Sequence, residues 1–231
     1  MSEQQLVITI DGPSGVGKST ISRRVAAGLS YTYLDTGAMY RAVALKLQLS
    51  GVDPGDEAAV ETVLTDLDIR LVPGGGLDSD VGVLLDDDDV SSLIRTPEMS
   101  MLASKVSAIP VVRKKLTQMQ QQAGERGRVV AEGRDTGTIV FPRAICKFYL
   151  DAAPEERAER RSLQLKSQGK EVDEKELLAM IIKRDKDDRS RTIAPLTQAE
   201  DAHYIDSTDL SIDGVCEKLL AIARRSLSGP G

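Results

Sequence analysis

Gly12-Pro13-Ser14-Gly15-Val16-Gly17-Lys18-Ser19, followed by Thr20, fits the pattern Gly-x-x-x-x-Gly-Lys-Ser at every fixed position. The spacing suits a polyphosphate chain. Glycines let successive backbone N–H groups close around phosphate oxygens. A helix opening at Lys18 adds its positive end. The Lys18 ammonium reaches the β- and γ-phosphates, and the Ser19 hydroxyl can ligate Mg²⁺. The competing reading, a structural glycine turn, fails because the segment follows a β-branched run and opens a helical pattern. The loop establishes nucleotide binding. Motors, switches and kinases all carry it, so it does not establish which of them this is.

Three further groups have usable chemistry. Asp35-Thr36-Gly37-Ala38-Met39-Tyr40-Arg41 sets a hydroxyl and an arginine at the end of a second strand, where α/β folds hold ligands. The alternative for Arg41 is a plain surface residue. Glu132-Gly133-Arg134-Asp135-Thr136-Gly137-Thr138 also follows a strand. Arg134 offers a fork for a phosphate and Asp135 an acceptor for an amino group; a turn with a local ion pair is the bland reading. In the third group, Arg157, Arg160 and Arg161 share one helix face by spacing. Arg184, Asp188 and Arg191 fall at i, i+4 and i+7 and share a face if the helix persists. A salt-bridged surface helix is the alternative. Residues 154–191 carry eleven basic and ten acidic side chains, a net of +1. A nucleic-acid stripe is far more basic. Arginines converging on a mobile segment fit a lid that closes over phosphates and excludes water.

These residues need a scaffold. Leu6–Ile10 reads as a buried strand, and Ile21, Val25 and Leu29 give the following helix its period. Tyr33-Leu34 ends a second strand. Helices are expected at Ala38–Leu49, stopped by Gly51, and at Glu57–Leu67. Ile69–Val72 and Val81–Leu85 read as two antiparallel strands around the turn Pro73–Gly76. The acidic run Asp86–Asp89 reads as a solvated loop rather than a cation site. Glu98–Ser107 and Val111–Gln122 are helical, with Pro110 at a helix start. Arg128–Ala131 and Cys146–Leu150 are strands. Glu155–Gln168 and Glu174–Asp187 are charged helices separated by Gly169. His203–Ile205 is a last strand, Ser211–Leu227 a closing helix and Ser226–Gly231 a frayed tail. Alternation of strands and helices predicts a mostly parallel sheet covered on both faces.

Bulk properties exclude several functions. The chain has 231 residues, enough for one α/β domain with an insertion or two small domains. At a net charge of −6 it is a poor general binder of nucleic acid. Aromatics are 3%, which argues against a stacking groove for single strands. The sequence contains no Asn, so the Asn-Lys-x-Asp base reader of guanine-nucleotide switches is absent. Cys146 and Cys216 form no metal spacing and no disulfide framework, so a cytoplasmic setting is expected. Met1–Leu6 shows no leader pattern and no apolar run approaches a membrane span. A small protein with this loop and many arginines suits a small-molecule kinase, in which fixed cations bring two polyanions together.

The motifs are specific in combination. Ile10–Gly15, Asp35–Arg41, Gly133–Pro142 and Arg189-Ser190-Arg191-Thr192-Ile193-Ala194-Pro195-Leu196, in that order across nearly the whole chain, resemble bacterial cytidylate kinases. The small strand-rich insertion resembles the extended monophosphate-binding domain of those enzymes. The resemblance implies an α/β P-loop fold with a parallel sheet core, a small strand-containing insertion for the nucleoside monophosphate, and an arginine-rich lid. It implies a core at 1–35 and 126–231, a monophosphate-binding region at 36–125 with the insertion at about 68–90, and a lid segment at 154–191. ATP would be the donor, CMP or dCMP the acceptor and Mg²⁺ the cofactor, in a monomer without nucleic-acid or membrane partners. Residues 12–20 would bind ATP. Ser104, Arg113 and Asp135 would read cytosine, whose exocyclic amine meets the Asp135 carboxylate, where uracil would set acceptor against acceptor. Arg41, Arg134 and Arg191 would hold the acceptor phosphate. Arg184 and Asp188 would touch the sugar near Thr36, a position often Ser in the family. Arg157, Arg160 and Arg161 would belong to the lid, and Lys18, Arg134, Arg160 and Arg191 would serve catalysis. His203 has no expected catalytic role. Two other readings stay open: a P-loop kinase with another acceptor, and an ATP-binding regulator.

Overall fold

The computed structural model describes residues 5–77, 79–167 and 169–228. Most of the Met1–Leu6 stretch, Gln168 and the last three residues of the tail lie outside them. The chain divides into two compact units, one formed by Met1–Tyr33 with Gly127–Gly231 and the other by Leu34–Arg126.

The first unit is built on β1 (Gln5–Asp11), which pairs in parallel with β6 (Val129–Gly133) and β7 (Ala144–Asp151). β8 (His203–Asp206) adds in parallel to β7, and β2 (Thr32–Asp35) lies at the edge beside β6. Val7, Ile8 and Ile10 are fully buried because helices cover both faces of a parallel sheet. α1 (Lys18–Leu29) and α8 (Ile212–Ser228) pack on one face through Ile21, Val25, Val215 and Leu219. Each such side chain contributes roughly 1.5–3 kcal/mol on burial. A Cβ on Gly28 would stand 3.0 Å from Leu220, so the glycine sets how closely α1 and α8 approach. Register brings Asp11 opposite Gly133 and Tyr149, so the phosphate loop leaves the sheet at the carboxyl ends of three strands. There a Cβ on Gly12 would stand 2.0 Å from the Leu150 carbonyl oxygen, which only glycine avoids.

α6 (Pro154–Ser167) and α7 (Glu174–Ser190) connect β7 to β8 and share a small core of Ala158, Leu165, Leu177 and Ile181. The closing helix expected over Ser211–Leu227 runs from Ile212 to Ser228.

The second unit holds α2 (Thr36–Leu49), α3 (Glu57–Leu64), α4 (Pro97–Val106) and α5 (Pro110–Gly124). Caps explain the starts: Asp35 accepts from Ala38 N at 2.8 Å, Asp56 from Ala59 N at 3.1 Å and Thr96 from Met99 N at 3.1 Å. α3 stops at Leu64 rather than Leu67. β3 (Ile69–Val72), β4 (Gly82–Leu85) and β5 (Asp88–Asp89) form an antiparallel sheet. The third strand corrects the expected acidic loop. Asp86 and Asp87 take φ of 50° and 72°, the left-handed pair of a tight hairpin. Asp88 and Asp89 then pair with Leu85 and Leu84. Lys46 bonds Asp86 and Arg70 bonds Asp87, which offsets the charge crowded at the turn. Among the described residues, no three His, Cys, Asp or Glu side chains are grouped to hold a metal ion.

Candidate active site

The phosphate loop folds because Asp11 ends a fully paired strand and Gly17 caps α1 in the left-handed conformation, φ 93°. Lys18 is the first residue of α1, and its Nζ donates to Gly12 O at 2.8 Å and Pro13 O at 2.6 Å. Burial pushes its pKa well down, Arg134 and Arg184 push the same way, and Glu132 and Asp11 oppose them. Polyphosphate oxygens in the loop would restore the cationic form, since nearby negative charge favours it.

Ser19 Oγ donates to Glu132 Oε1 at 2.7 Å, and Tyr33 OH donates to the same oxygen at 2.5 Å. Glu132 is buried at the end of β6, beside β1. A hydroxyl and a carboxylate at this distance are hard oxygen donors of the kind Mg²⁺ takes one or two of, filling its other positions with water and phosphate. The pair fits that cofactor. The task of Glu132 is not legible in its local motif, because its partner lies 113 positions away.

Three arginines, Arg134 from the segment after β6, Arg184 of α7 and Arg191 at its end, act on one carboxylate of α7, Asp188. Arg134 Nε donates to Asp188 Oδ2 at 2.8 Å, and Arg184 Nη1 donates to Ser14 Oγ of the loop at 3.1 Å. Burial alone would raise the Asp188 pKa, but Arg134, Arg184 and Arg191 outweigh it and hold the carboxyl below its ordinary range. α7 ends at Ser190, so Arg191 is its C-terminal cap rather than part of a continuing helix face. The Leu196 N–H donates to the Asp188 carbonyl at 2.8 Å and folds the following segment back. Arg134, Arg184, Asp188 and Arg191 thus form one cluster that reaches Ser14. Asp135 is buried at the start of a single π-helical turn, Thr136–Val140, which the sequence did not suggest.

In the expected lid segment, Arg157 is buried rather than solvent-facing. The three arginines of α6 share no common target. Arg157 is 1% exposed and donates to Ala152 O at 2.9 Å, Ser14 O at 2.9 Å and Asp185 Oδ2 at 2.5 Å. Helical spacing shows which residues share a face and not what covers it. Arg160 is bound to Glu156 and to the Ser207 and Thr208 carbonyls, and Arg161 to Gln164. His203 is exposed on β8 beside the Phe148 ring.

In the second unit, Thr36 is buried at the first turn of α2, and Arg41 pairs with Asp35 at 3.3 Å. Arg113 is buried, donates to Ser107 O at 3.1 Å and lies over the Tyr40 ring at 5.5 Å. Ser107 Oγ in turn donates to Ser104 O at 2.7 Å. Tyr40 and Ser107 are the members of this set that the sequence left without a role.

A parallel sheet whose central strand feeds a phosphate loop, with a lysine, a hydroxyl–carboxylate pair and clustered arginines around it, defines a P-loop kinase. The cytidylate kinase family model matches residues 8–225. A cytidylate kinase of Syntrophotalea carbinolica is 50% identical over 219 residues, covering 95% of this chain and 92% of its own. One of Carboxydothermus hydrogenoformans is 48% identical, covering 94% of this chain and 97% of its own. The chain belongs to the cytidylate kinase family. A solved structure of an uncharacterized protein from Eubacterium ventriosum, 13% identical, has a TM-score of 0.50, covers 96% of this chain and 99% of that one, and shares the fold alone. Among the described residues no helix is long and apolar enough to cross a membrane.

Proposed function

We propose that this chain transfers the γ-phosphoryl group of ATP to CMP or dCMP, giving ADP and CDP or dCDP. The observation that carries the reading is the Asp188 cluster. A buried carboxylate aligns Arg134 by its Nε edge, while neighbouring Arg184 contacts the phosphate loop itself. Two polyanions need such fixed cations to approach each other.

Residues 12–20 take the ATP phosphates, and Lys18 leaves the Gly12 and Pro13 carbonyls for phosphate oxygens. Ser19 and Glu132 would hold Mg²⁺, which when bound neutralises charge between the β- and γ-phosphates. Arg41, Arg134 and Arg191 take the acceptor phosphate, already ionised near neutral pH, so no strong general base is required. Arg184, Asp188 and Thr36 serve the sugar. Asp135 accepts from the cytosine amine, and Ser104 and Arg113 complete the base site. Arg157, Arg160 and Arg161 belong to the lid, Arg157 as its buried anchor. Transfer is in line, without a covalent enzyme intermediate, and the chain's work is positioning and charge stabilisation. A cytoplasmic monomer is the setting for this reading, and the buried Cys146 and Cys216 thiols suit a reducing compartment.

A coupled ADP-release assay with ATP, Mg²⁺ and each of CMP, dCMP, UMP, AMP, GMP and dTMP tests the proposal. Strong turnover with CMP and dCMP, weak with UMP and none with the others is expected. Folded, ATP-binding protein that is silent toward every monophosphate would refute it.

A further inference from the structure

Asp11 is buried, charged and unused by the mechanism above. It ends β1, one residue before the phosphate loop, and is 4% exposed. Its carboxylate does not face that loop's amides. Oδ1 accepts from Thr136 N at 2.9 Å and Thr136 Oγ1 at 2.7 Å, and Oδ2 accepts from Gly137 N at 2.7 Å. Both oxygens are therefore committed to a turn 125 residues away in sequence.

That turn begins immediately after Asp135. Within it, Ile139 N and Val140 N donate to the Asp135 carbonyl at 2.9 and 3.3 Å, and Phe141 N donates to Thr136 O at 2.7 Å. The N–H groups of Thr136 and Gly137 point the other way and have no acceptor inside a helical turn. Asp135 does not cap them with its own side chain. Asp11 supplies the cap from a different strand. The fit leaves no slack: a Cβ on Gly137 would stand 2.8 Å from Thr9 Oγ1 and 3.3 Å from Asp11 Oδ2. Upstream, the backbone of Asp11 is in register with Gly133. One residue of β1 thus fixes the chain on both sides of Arg134 and Asp135, by its backbone before them and its carboxylate after them.

We infer that Asp11 is a positioning residue for recognition of the acceptor base, holding the backbone from which the Asp135 carboxylate meets the cytosine amine. This rests on the proposed role of Asp135. Two carboxylates sit close here, and Asp135 repels Asp11. Burial opposes the ionised form of Asp11, and the three donors of the turn favour it. The arrangement makes sense if the position of Asp135 matters more than the cost of burying its neighbour.

The test is kcat/KM for CMP and for UMP at saturating ATP, in wild type and in D11N, T136V and D135N. Partial unfolding scales both acceptors equally, so the CMP/UMP ratio reports position alone. An amide at residue 11 turns one N–H acceptor into a donor, and D11N is expected to lower the ratio about tenfold. T136V keeps both backbone bonds, loses the hydroxyl bond, and is expected to lower the ratio about threefold. A collapsed ratio in D135N with an unchanged one in D11N would overturn the inference and leave the base-reading role standing. An unchanged ratio in D135N would remove that role and the inference together. If D11N does not fold, T136V decides: an unchanged ratio there, with D135N collapsed, overturns the inference.

Discussion

Replacing Arg157 with methionine should destabilise the first unit far more than loss of a solvent-facing lid arginine would. The guanidinium is 1% exposed and makes three bonds, to Ala152 O, Ser14 O and the Asp185 carboxylate, at 2.9, 2.9 and 2.5 Å. Hydrogen bonds from a charged donor are worth about 1.5–3 kcal/mol each. Breaking a buried pair by removing one partner typically costs about 3–5 kcal/mol, because the other charge stays buried. Asp185 is 4% exposed, so it has no ready route to water. Methionine fills much of the stem volume, which limits the packing loss, and about 4 kcal/mol is the expected cost. With a urea m-value of about 3 kcal/mol per molar, the midpoint should fall by about 1.3 M. The chain has no Trp, so far-UV circular dichroism is the suitable signal. The double variant R157M/D185L should recover much of the loss by removing the orphaned carboxylate as well. A midpoint shift below about 0.3 M in R157M would refute the reasoning, since that is what an exposed pair would give.

Glu132→Gln should lower kcat by at least about tenfold and weaken the dependence on Mg²⁺ concentration, with a smaller change in KM for CMP; a Mg²⁺ titration of initial rates checks this. Stability should also carry a signature of Asp11, whose pKa is raised from 3.8 to about 6, chiefly by burial. Between these values the folded state holds the extra proton, so this group's contribution falls as pH rises from about 4 to about 6, by about 3 kcal/mol. Urea midpoints at several pH values should show that decline in wild type and not in D11N; parallel curves would mean an ordinary carboxyl. Asp188 has the opposite sign. Its lowered pKa contributes stability that is present above the ordinary carboxylate range and is lost as pH falls through the depressed value. D188N should therefore lose less stability than wild type on acidification below pH 4.

What the sequence revealed follows from the range of each interaction. The phosphate loop is a local pattern, and strand, glycines and helix appear within fifteen residues of one another. Helix periods and caps are local too, which is why α2, α4, α5 and α8 were readable to within a turn or so. Glu132, Asp11 and Arg157 were not, because their tasks are set by partners 113, 125 and 143 positions away. The Arg157 spacing was correct and its environment was invisible. The π-helical turn hid behind Thr136, Ile139 and Val140, which are β-branched and read as strand or loop. β5 was hidden for the opposite reason: two aspartates have little strand propensity, and pairing with β4 overrides it.

Where the second unit leaves and rejoins the first has a consequence for chain engineering. Thr32 N donates to Arg128 O at 2.8 Å, and the division between units falls at Tyr33 and Gly127, next to these two residues. The points of departure and return are therefore neighbours across one strand spacing, about 5 Å. Topologically the second unit is a cassette: two or three glycines could bridge the gap it leaves. The cut would shorten an edge strand and spare β1, β6, β7 and β8. Splicing there would yield a minimal scaffold carrying the phosphate loop and the Asp188 cluster, into which other acceptor-binding modules could be grafted.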